Sequence, residues 1–205
     1  MVLRDIDAAN ADDPRTIAVD GARRAFEIVY SERMGERLAK MYPDASELLR
    51  IAAHAQHIRR WDIPRSRYPG GRIGYNDWRK ACGEHHAKLI AAILARHGYA
   101  AGEIDHVVKL IKKQQLKKDP ESQALENVVD VVFIEHYVEG FLAKHSDYDE
   151  DKLVDIIGKI LRKMSRKGHD EVLALKLNPL LRRLIDKASA READAPIKPA
   201  KAALD

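Results

Sequence analysis

One cysteine in 205 residues removes two classes of explanation at once. Cys82 cannot close an internal disulfide, and no cysteine cluster exists to hold a metal or a redox centre. Long apolar runs are also missing; none approaches the roughly 20 residues that a membrane-spanning helix needs. The opening MVLRDIDAANADDPR carries no apolar leader-like core, so a cytoplasmic protein with no membrane partner is expected. Alternating apolar and polar residues of the strand type are absent, which predicts an all-α fold. No excess of one charge dominates: 36 basic side chains face 32 acidic ones, for a net +4. That balance alone does not mark a nucleic-acid binder. Aromatic residues make up only 6%, which makes their placement informative.

Trp61, Tyr68, Tyr75 and Trp78 all fall in the stretch His54 to Arg79, HAQHIRRWDIPRSRYPGGRIGYNDWR. Arg59, Arg60, Arg65, Arg67, Arg72 and Arg79 share it. Guanidinium groups are planar, bidentate donors suited to phosphate or carboxylate. A structured loop built from such residues is more often a binding site than a spacer. The segment Tyr68-Pro-Gly-Gly-Arg-Ile-Gly lacks the spacing and the Lys-Ser/Thr pair of a phosphate loop.

Helical periodicity covers nearly the whole chain. A short helix is expected over Leu3 to Asn10, then a turn at Asp12 to Pro14, then a long helix over Gly21 to Met41. Asp44 or Ser46 should cap the next helix, which stops before Pro64. Asn76 or Asp77 should cap a helix reaching Arg96 and closed by Gly98. Further helices are expected over Gly102 to Leu116, Pro120 to Lys144, Asp149 to Met164 and Asp170 to Lys187, with Val128 to Ile134 as a buried centre. The expected organisation is one helical bundle domain of seven to eight helices over 1–188, followed by a disordered tail over 189–205 rich in Ala, Pro and Lys.

Three groups of residues could carry chemistry. His54 and His57 lie on one helix face, and His85 and His86 sit on another helix. Glu126, Asn127 and Asp130 interrupt the apolar central helix, where carboxylates are costly unless paired, protonated or metal-bound. They could ligate a divalent metal with the histidines or pair with Arg59, Arg60 or Arg79. The arginine-aromatic loop could clamp a nucleotide phosphate or grip RNA by stacking and phosphate contacts; otherwise its aromatics pack on the bundle and its arginines hold carboxylates. Lys109, Lys112, Lys113, Lys117 and Lys118, with Arg162, Lys163, Arg166 and Lys167, read as solvated helix ends. Cys82 has no arrangement of a nucleophile's partners around it.

The stretches NADDPR (10 to 15), YSERM (30 to 34), AAHAQHIRRWDIPRSRYPGGRIGYNDWR (52 to 79), QALENVVDVVFIEHY (123 to 137) and KILRKMSRKG (159 to 168) resemble an uncharacterised family known as a domain of unknown function. Some of its members carry the label glutamyl-tRNA synthetase. The chain has neither the nucleotide-binding α/β pattern nor a class-defining synthetase motif. A more distant resemblance is to the HD-domain phosphohydrolase superfamily, helical bundles that bind metal through a His, a His-Asp pair and a later Asp. Leu48 to Trp61 resembles the helix of that pair, with Gln56-His57 in its place. His86 to Tyr99 resembles the later His-containing helix, and Gln123 to Ile134 the last one. The chain departs from the pattern in having Glu27 near the leading His and Asn127 near the final Asp.

The arginine-aromatic loop together with the HD-like resemblance leads to the expectation of an HD-like protein that binds a phosphorylated, nucleotide-like small molecule, with metal-assisted phosphoester hydrolysis as an extension of that reading. His57, His86 and Glu126 would hold Mn, Fe, Ni or Zn, and Asp130 would be a further ligand or base. Arg59, Arg60, Trp61, Arg65, Arg67, Tyr68, Tyr75 and Arg79 would bind substrate. The alternative is a non-catalytic RNA- or protein-binding module that uses loop 59–79.

Overall fold

The computed structural model describes residues Met1 to Ala193. They are predominantly helical, with ten α-helices and one two-stranded hairpin among the described residues. In order these are α1 (Val2–Asn10), β1 (Thr16–Val19), β2 (Ala22–Ala25), α2 (Phe26–Met41), α3 (Glu47–His54), α4 (Gly71–Arg96), α5 (Ala101–Ile111), α6 (Pro120–His136), α7 (Val138–Lys144), α8 (Glu150–Leu161), α9 (Arg166–Ala174) and α10 (Pro179–Ala193). Two 3-10 turns, Arg60–Asp62 and Arg65–Arg67, separate α3 from α4. The chain forms two compact units, Met1–Val132 and one beginning at Phe133. No helix among the described residues is long and apolar enough to cross a membrane.

The first unit is built on apolar stripes. Val29, Met34 and Leu38 of α2, Ile51 of α3, Ile90 and Leu94 of α4, Leu110 of α5 and Leu125 and Val128 of α6 are all buried. Each such side chain contributes about 1.5 to 3 kcal/mol through removal from water. Ser46 starts α3, its Oγ accepting the Leu49 N–H at 3.0 Å, which satisfies one orphan donor of the first turn. Asp119 does the same for α6 by accepting the Ser122 N–H at 2.6 Å. In the second unit, α8 packs on α10, with Val154, Ile157 and Leu161 buried on one helix and Leu181, Leu184 and Ile185 on the other. Asp149 accepts the Lys152 N–H at 2.7 Å to cap α8.

The structure differs from the sequence expectations at several places. The expected long helix over Gly21 to Met41 begins only at Phe26, because residues 16–25 form an antiparallel hairpin that pairs Thr16 with Ala25 and Val19 with Ala22. Its turn is Asp20-Gly21, both at positive φ (49° and 79°), as a two-residue hairpin loop demands. Four-residue strands are too short for alternation to register. The helix expected from Asn76 starts at Gly71 instead. Gly74 permits this: a Cβ there would lie 2.1 Å from the Pro69 carbonyl oxygen.

The helix expected to reach Leu116 ends at Ile111, and Lys113, Gln115 and Lys117 turn at positive φ (54°, 63° and 69°). The helix expected over Pro120 to Lys144 breaks at Tyr137. The helix expected over Asp170 to Lys187 is two helices. Asn178 accepts the Leu181 N–H at 2.8 Å, and Pro179 opens α10 at the one helical position that needs no N–H. Helix α10 continues through Ser189 to Ala193; the rest of the expected tail, 194–205, lies outside the described residues.

Gly74 yields a direct test. Gly74→Ala will lower stability by about 1 to 3 kcal/mol or more, because backbone must move to admit the methyl group. A urea titration followed by tryptophan fluorescence will register it, since Trp61 and Trp78 flank the loop. An unchanged midpoint would mean that Pro69 does not press on the first turn of α4.

Candidate functional site

Glu27, in the first turn of α2, is fully buried. A carboxylate there needs partners, and the NADDPR segment supplies them. Asp13 accepts the backbone N–H of Glu27 at 3.1 Å. It also accepts the backbone N–H of Arg15 at 2.9 Å and the Arg15 guanidinium at 3.0 and 2.9 Å. The same guanidinium donates to Glu27 Oε1 at 2.6 Å. Arg15 thus forks between two carboxylates whose side chains have no solvent exposure. Burial pushes the Glu27 carboxyl above the usual range, and Arg15 opposes that shift.

The second Glu27 oxygen faces His57. Oε2 lies 3.5 Å from His57 Nδ1, at ion-pair separation without a hydrogen bond. The His57 ring stacks on Tyr30, with centroids 4.0 Å apart and planes at 14°. Burial, then the charges of Arg60, Lys113, Arg15 and Arg79, hold His57 well below the normal imidazole range. His57 is therefore neutral at pH 7.

His86 lies beside it, ring centroids 6.1 Å apart. Its Nδ1–H donates to the Ile58 carbonyl at 2.7 Å. That bond fixes the tautomer and leaves Nε2 as a bare, buried lone pair with no hydrogen-bond partner. Burial, then the neighbouring His57 and Arg60, lower its pKa to about 3. Gln56 is also buried, and its Oε1 has no hydrogen-bond partner.

Two of the three expected metal ligands, His57 and His86, are thus neighbours. The third, Glu126, is engaged at 2.6 Å by Lys113 Nζ, a lysine that the sequence reading assigned to a solvated helix end. The left-handed turn after α5 brings that ammonium inward. Glu126 is not paired with Arg59, Arg60 or Arg79. Asp130, read as a ligand or base, is 3% exposed on the same helix. Asn127, near the HD-like final position, accepts from Gln123 Nε2 at 3.1 Å and donates to Tyr42 Oη at 2.7 Å. Among the described residues, no three His, Cys, Asp or Glu side chains form a group that could hold a metal ion. Two imidazoles and a carboxylate are donor types that a divalent metal accepts, but as placed Glu126 is taken by Lys113 and Glu27 by Arg15, so no carboxylate completes the set.

The arginine-aromatic loop divides into structural and open halves. Arg59 adopts φ 49°, its N–H donates to Asn10 Oδ1 at 2.9 Å, and its guanidinium holds Asp62 at 2.9 Å. His85 shares that carboxylate at 3.1 Å. Arg65 donates to the Tyr68 carbonyl at 2.8 Å, and Trp78 Nε1 donates to the Ile63 carbonyl at 2.8 Å. Arg59 also lies over Trp61, at 5.2 Å from the ring centroid. These groups brace the loop. Arg60 differs: it lies over Trp78 at 4.6 Å, and its charge reaches both Glu27 and His57. Among the described residues, neither Arg60 nor Arg79 has a carboxylate at ion-pair distance. Arg67 and Tyr75 are exposed, while Tyr68 is half-buried.

Sequence reading missed Asp13 and Arg15 as site residues and met Glu27 only through the HD-like resemblance. The signal for them was two adjacent acids and an arginine just after the first helix. A separate groove of about 400 Å³ is lined by Met1, Val2, Leu3, Glu47, Arg50, Ile51, His97 and Tyr99. It shares no residue with the Glu27–His57–His86 cluster, which has the chemistry; the groove has only volume. Burial raises the Cys82 thiol, which removes it from nucleophilic roles.

The family described as "Domain of unknown function (DUF4202)" matches residues 1–185. No curated protein and no solved structure matches the chain.

Proposed function

The chain belongs to this family of unknown function, and from that premise we propose that it binds a phosphorylated, nucleotide-like small ligand at the His57 cluster. One observation carries the reading. Arg60 and Arg79 direct unpaired positive charge at a recessed site whose two imidazoles are neutral. Two guanidinium groups with no carboxylate of their own are matched to a phosphate, which both can hold by charge-assisted hydrogen bonds. His86 Nε2 then accepts a ligand hydroxyl or amine hydrogen, which the protein itself does not provide. Trp78, already under Arg60, and Tyr75 supply aromatic faces near the phosphate.

A hydrolytic extension uses the same atoms. A neutral His57 can take a proton from water as its oxygen bonds to phosphorus and the ester P–O bond breaks, then return that proton to the leaving oxygen, with Glu27 at 3.5 Å stabilising the transient imidazolium. An HD-like fold and a cytoplasmic setting belong to this reading. Its support is that Glu27, Gln56, His57 and Asn127, the positions the HD resemblance picks out, are all buried or half-buried in the first unit.

Calorimetric titration with inorganic phosphate, AMP and ATP tests the proposal. Binding by at least one is expected, with a melting-temperature rise equivalent to about 2.7 kcal/mol at a hundredfold excess over Kd. Arg60→Gln and His57→Asn should abolish it while remaining folded. No heat and no thermal shift with any of the three would overturn the reading. Elemental analysis of the same preparation separates the metal-dependent version: about one equivalent of transition metal, lost in His57→Asn, would replace direct phosphate binding by metal-assisted binding.

A further inference from the structure

Segment 65–80 carries five cations, Arg65, Arg67, Arg72, Arg79 and Lys80, against one acid, Asp77. Arg65 is held by the Tyr68 carbonyl. The other four are exposed, and none has a carboxylate at ion-pair distance among the described residues. Some cations elsewhere are paired, as Arg24 is to Glu32 at 2.6 Å and Lys112 to Glu84 at 2.8 Å.

Arg72, Tyr75 and Arg79 stand three and four residues apart on α4, so they form one stripe along a helix face. The ring of Tyr75 is 46% exposed. It tilts against Trp78, at 5.8 Å between centroids, with the Arg79 guanidinium 6.0 Å from its own centroid. The stripe sits on a rigid base, since Trp78 is bonded to Ile63 and Gly74 is pressed on Pro69. The backbone under the stripe is thus set before a partner arrives, and only the exposed side chains remain to be ordered.

From these observations we propose that the exposed face formed by Arg67, Arg72, Tyr75, Arg79 and Lys80 binds single-stranded RNA. Cations alternating with an open aromatic ring match a strand in which phosphates alternate with bases, and an unpaired base can stack on Tyr75. A duplex keeps its bases stacked on one another and offers no face to the ring. The neighbouring Ile73 is 79% exposed and suggests a membrane surface instead. One isoleucine is too small for that role, because even a full myristoyl chain gives only marginal membrane binding. The surface adjoins the phosphate site at His57 and shares Tyr75 and Arg79 with it, while Arg67, Arg72 and Lys80 belong to the surface alone.

Fluorescence anisotropy with a labelled 12-nucleotide oligouridylate tests the inference on the full chain. Binding should weaken with salt, and three phosphate contacts predict a log–log slope near −2, about 0.7 per contact for a single strand. Tyr75→Ala should weaken binding at least about fivefold, the lower bound for one lost base–aromatic stack. The double variant Arg67→Glu, Arg72→Glu, which leaves Arg60 and His57 intact, should remove it. Ile73→Ser should leave it unchanged. Circular dichroism melts will establish that each variant is folded. No binding at 50 mM salt, equal affinity for duplex RNA, or full affinity in the double variant would overturn the proposal. So would binding to phosphatidylserine vesicles but not RNA, lost in Ile73→Ser, which would identify a membrane surface.

Discussion

Arg15→Met will destabilise the protein by about 3 to 5 kcal/mol, the cost of leaving buried carboxylates without their counter-charge. Methionine keeps an apolar stem and removes the guanidinium, including its place over the Phe26 ring at 5.1 Å. Asp13 then keeps only the backbone N–H groups of residue 15 and Glu27, and neither carboxylate retains its cation or has solvent exposure. The urea midpoint at pH 7.5 measures the loss. Adding Glu27→Gln and Asp13→Asn should recover part of it, since a neutral amide costs far less to bury than an uncompensated charge. A loss under about 1 kcal/mol would show that Arg15 behaves as an ordinary surface cation, as its own 44% exposure would suggest on its face. The partners' burial decides the size of the effect, because water cannot reach the carboxylates to replace the guanidinium.

Stability will fall as pH drops from about 6.5 toward 4.5, before most carboxylates titrate, and His86→Asn will flatten that fall. His86 has a folded pKa of about 3 against about 6.5 for an unfolded histidine. Below 6.5 the unfolded chain takes up a proton that the folded chain refuses, so acid favours unfolding. At pH 5 the gap is about 1.5 units, or ~2 kcal/mol for this residue alone. The loss reaches its full size only near pH 3. His57 is also held well below its usual value and adds in the same direction. Glu27 works in the opposite sense, because its raised pKa favours the folded state at low pH relative to neutral. The variant comparison removes that complication, as Glu27 is common to both proteins. Asparagine places an amide N–H where Nδ1 donates to Ile58, so the fold keeps its hydrogen bond while the titrating group is gone. Urea midpoints measured at half-unit steps from pH 7.5 to 4.5 suffice. Parallel curves for the two proteins would mean that His86 is protonated in the folded state or open to water.

These two effects belong to residues that the sequence treats very differently. His86 stands out as a histidine on an otherwise readable helix, and its apolar neighbours Ala87 and Ile90 place it inward. Its consequence depends on the Ile58 carbonyl, 28 residues earlier in the chain. Arg15 gives no periodic signal at all. Its importance comes from a hairpin that returns the chain so that Asp13 and Glu27, 14 residues apart, meet at one guanidinium. The Asp20-Gly21 dipeptide is a hairpin signal with a physical basis in its left-handed backbone, but the flanking strands are too short to announce themselves.

Helix placement was largely legible, because it rests on local physics. Apolar residues at three- and four-residue spacing place α1, α3, α5 and α8, and short polar caps such as Ser46 and Asp149 mark their starts. The interruptions were less legible. The break after Ile111 brings Lys113 to Glu126, a tertiary pairing that no local pattern encodes, whereas Asn178-Pro179 is a local helix start inside an apolar pattern that reads as continuous. The arginine-aromatic loop announced itself by composition alone. Composition could not separate its parts: Arg59 and Arg65 are committed to Asp62 and the Tyr68 carbonyl, while Arg60, Arg67, Arg72 and Arg79 remain available. The sequence by itself determined a helical protein with a chemically unusual segment at its centre. Only the tertiary structure decided which charges are cancelled and which imidazoles are held neutral, because pairing and desolvation are set by distances between residues far apart along the chain.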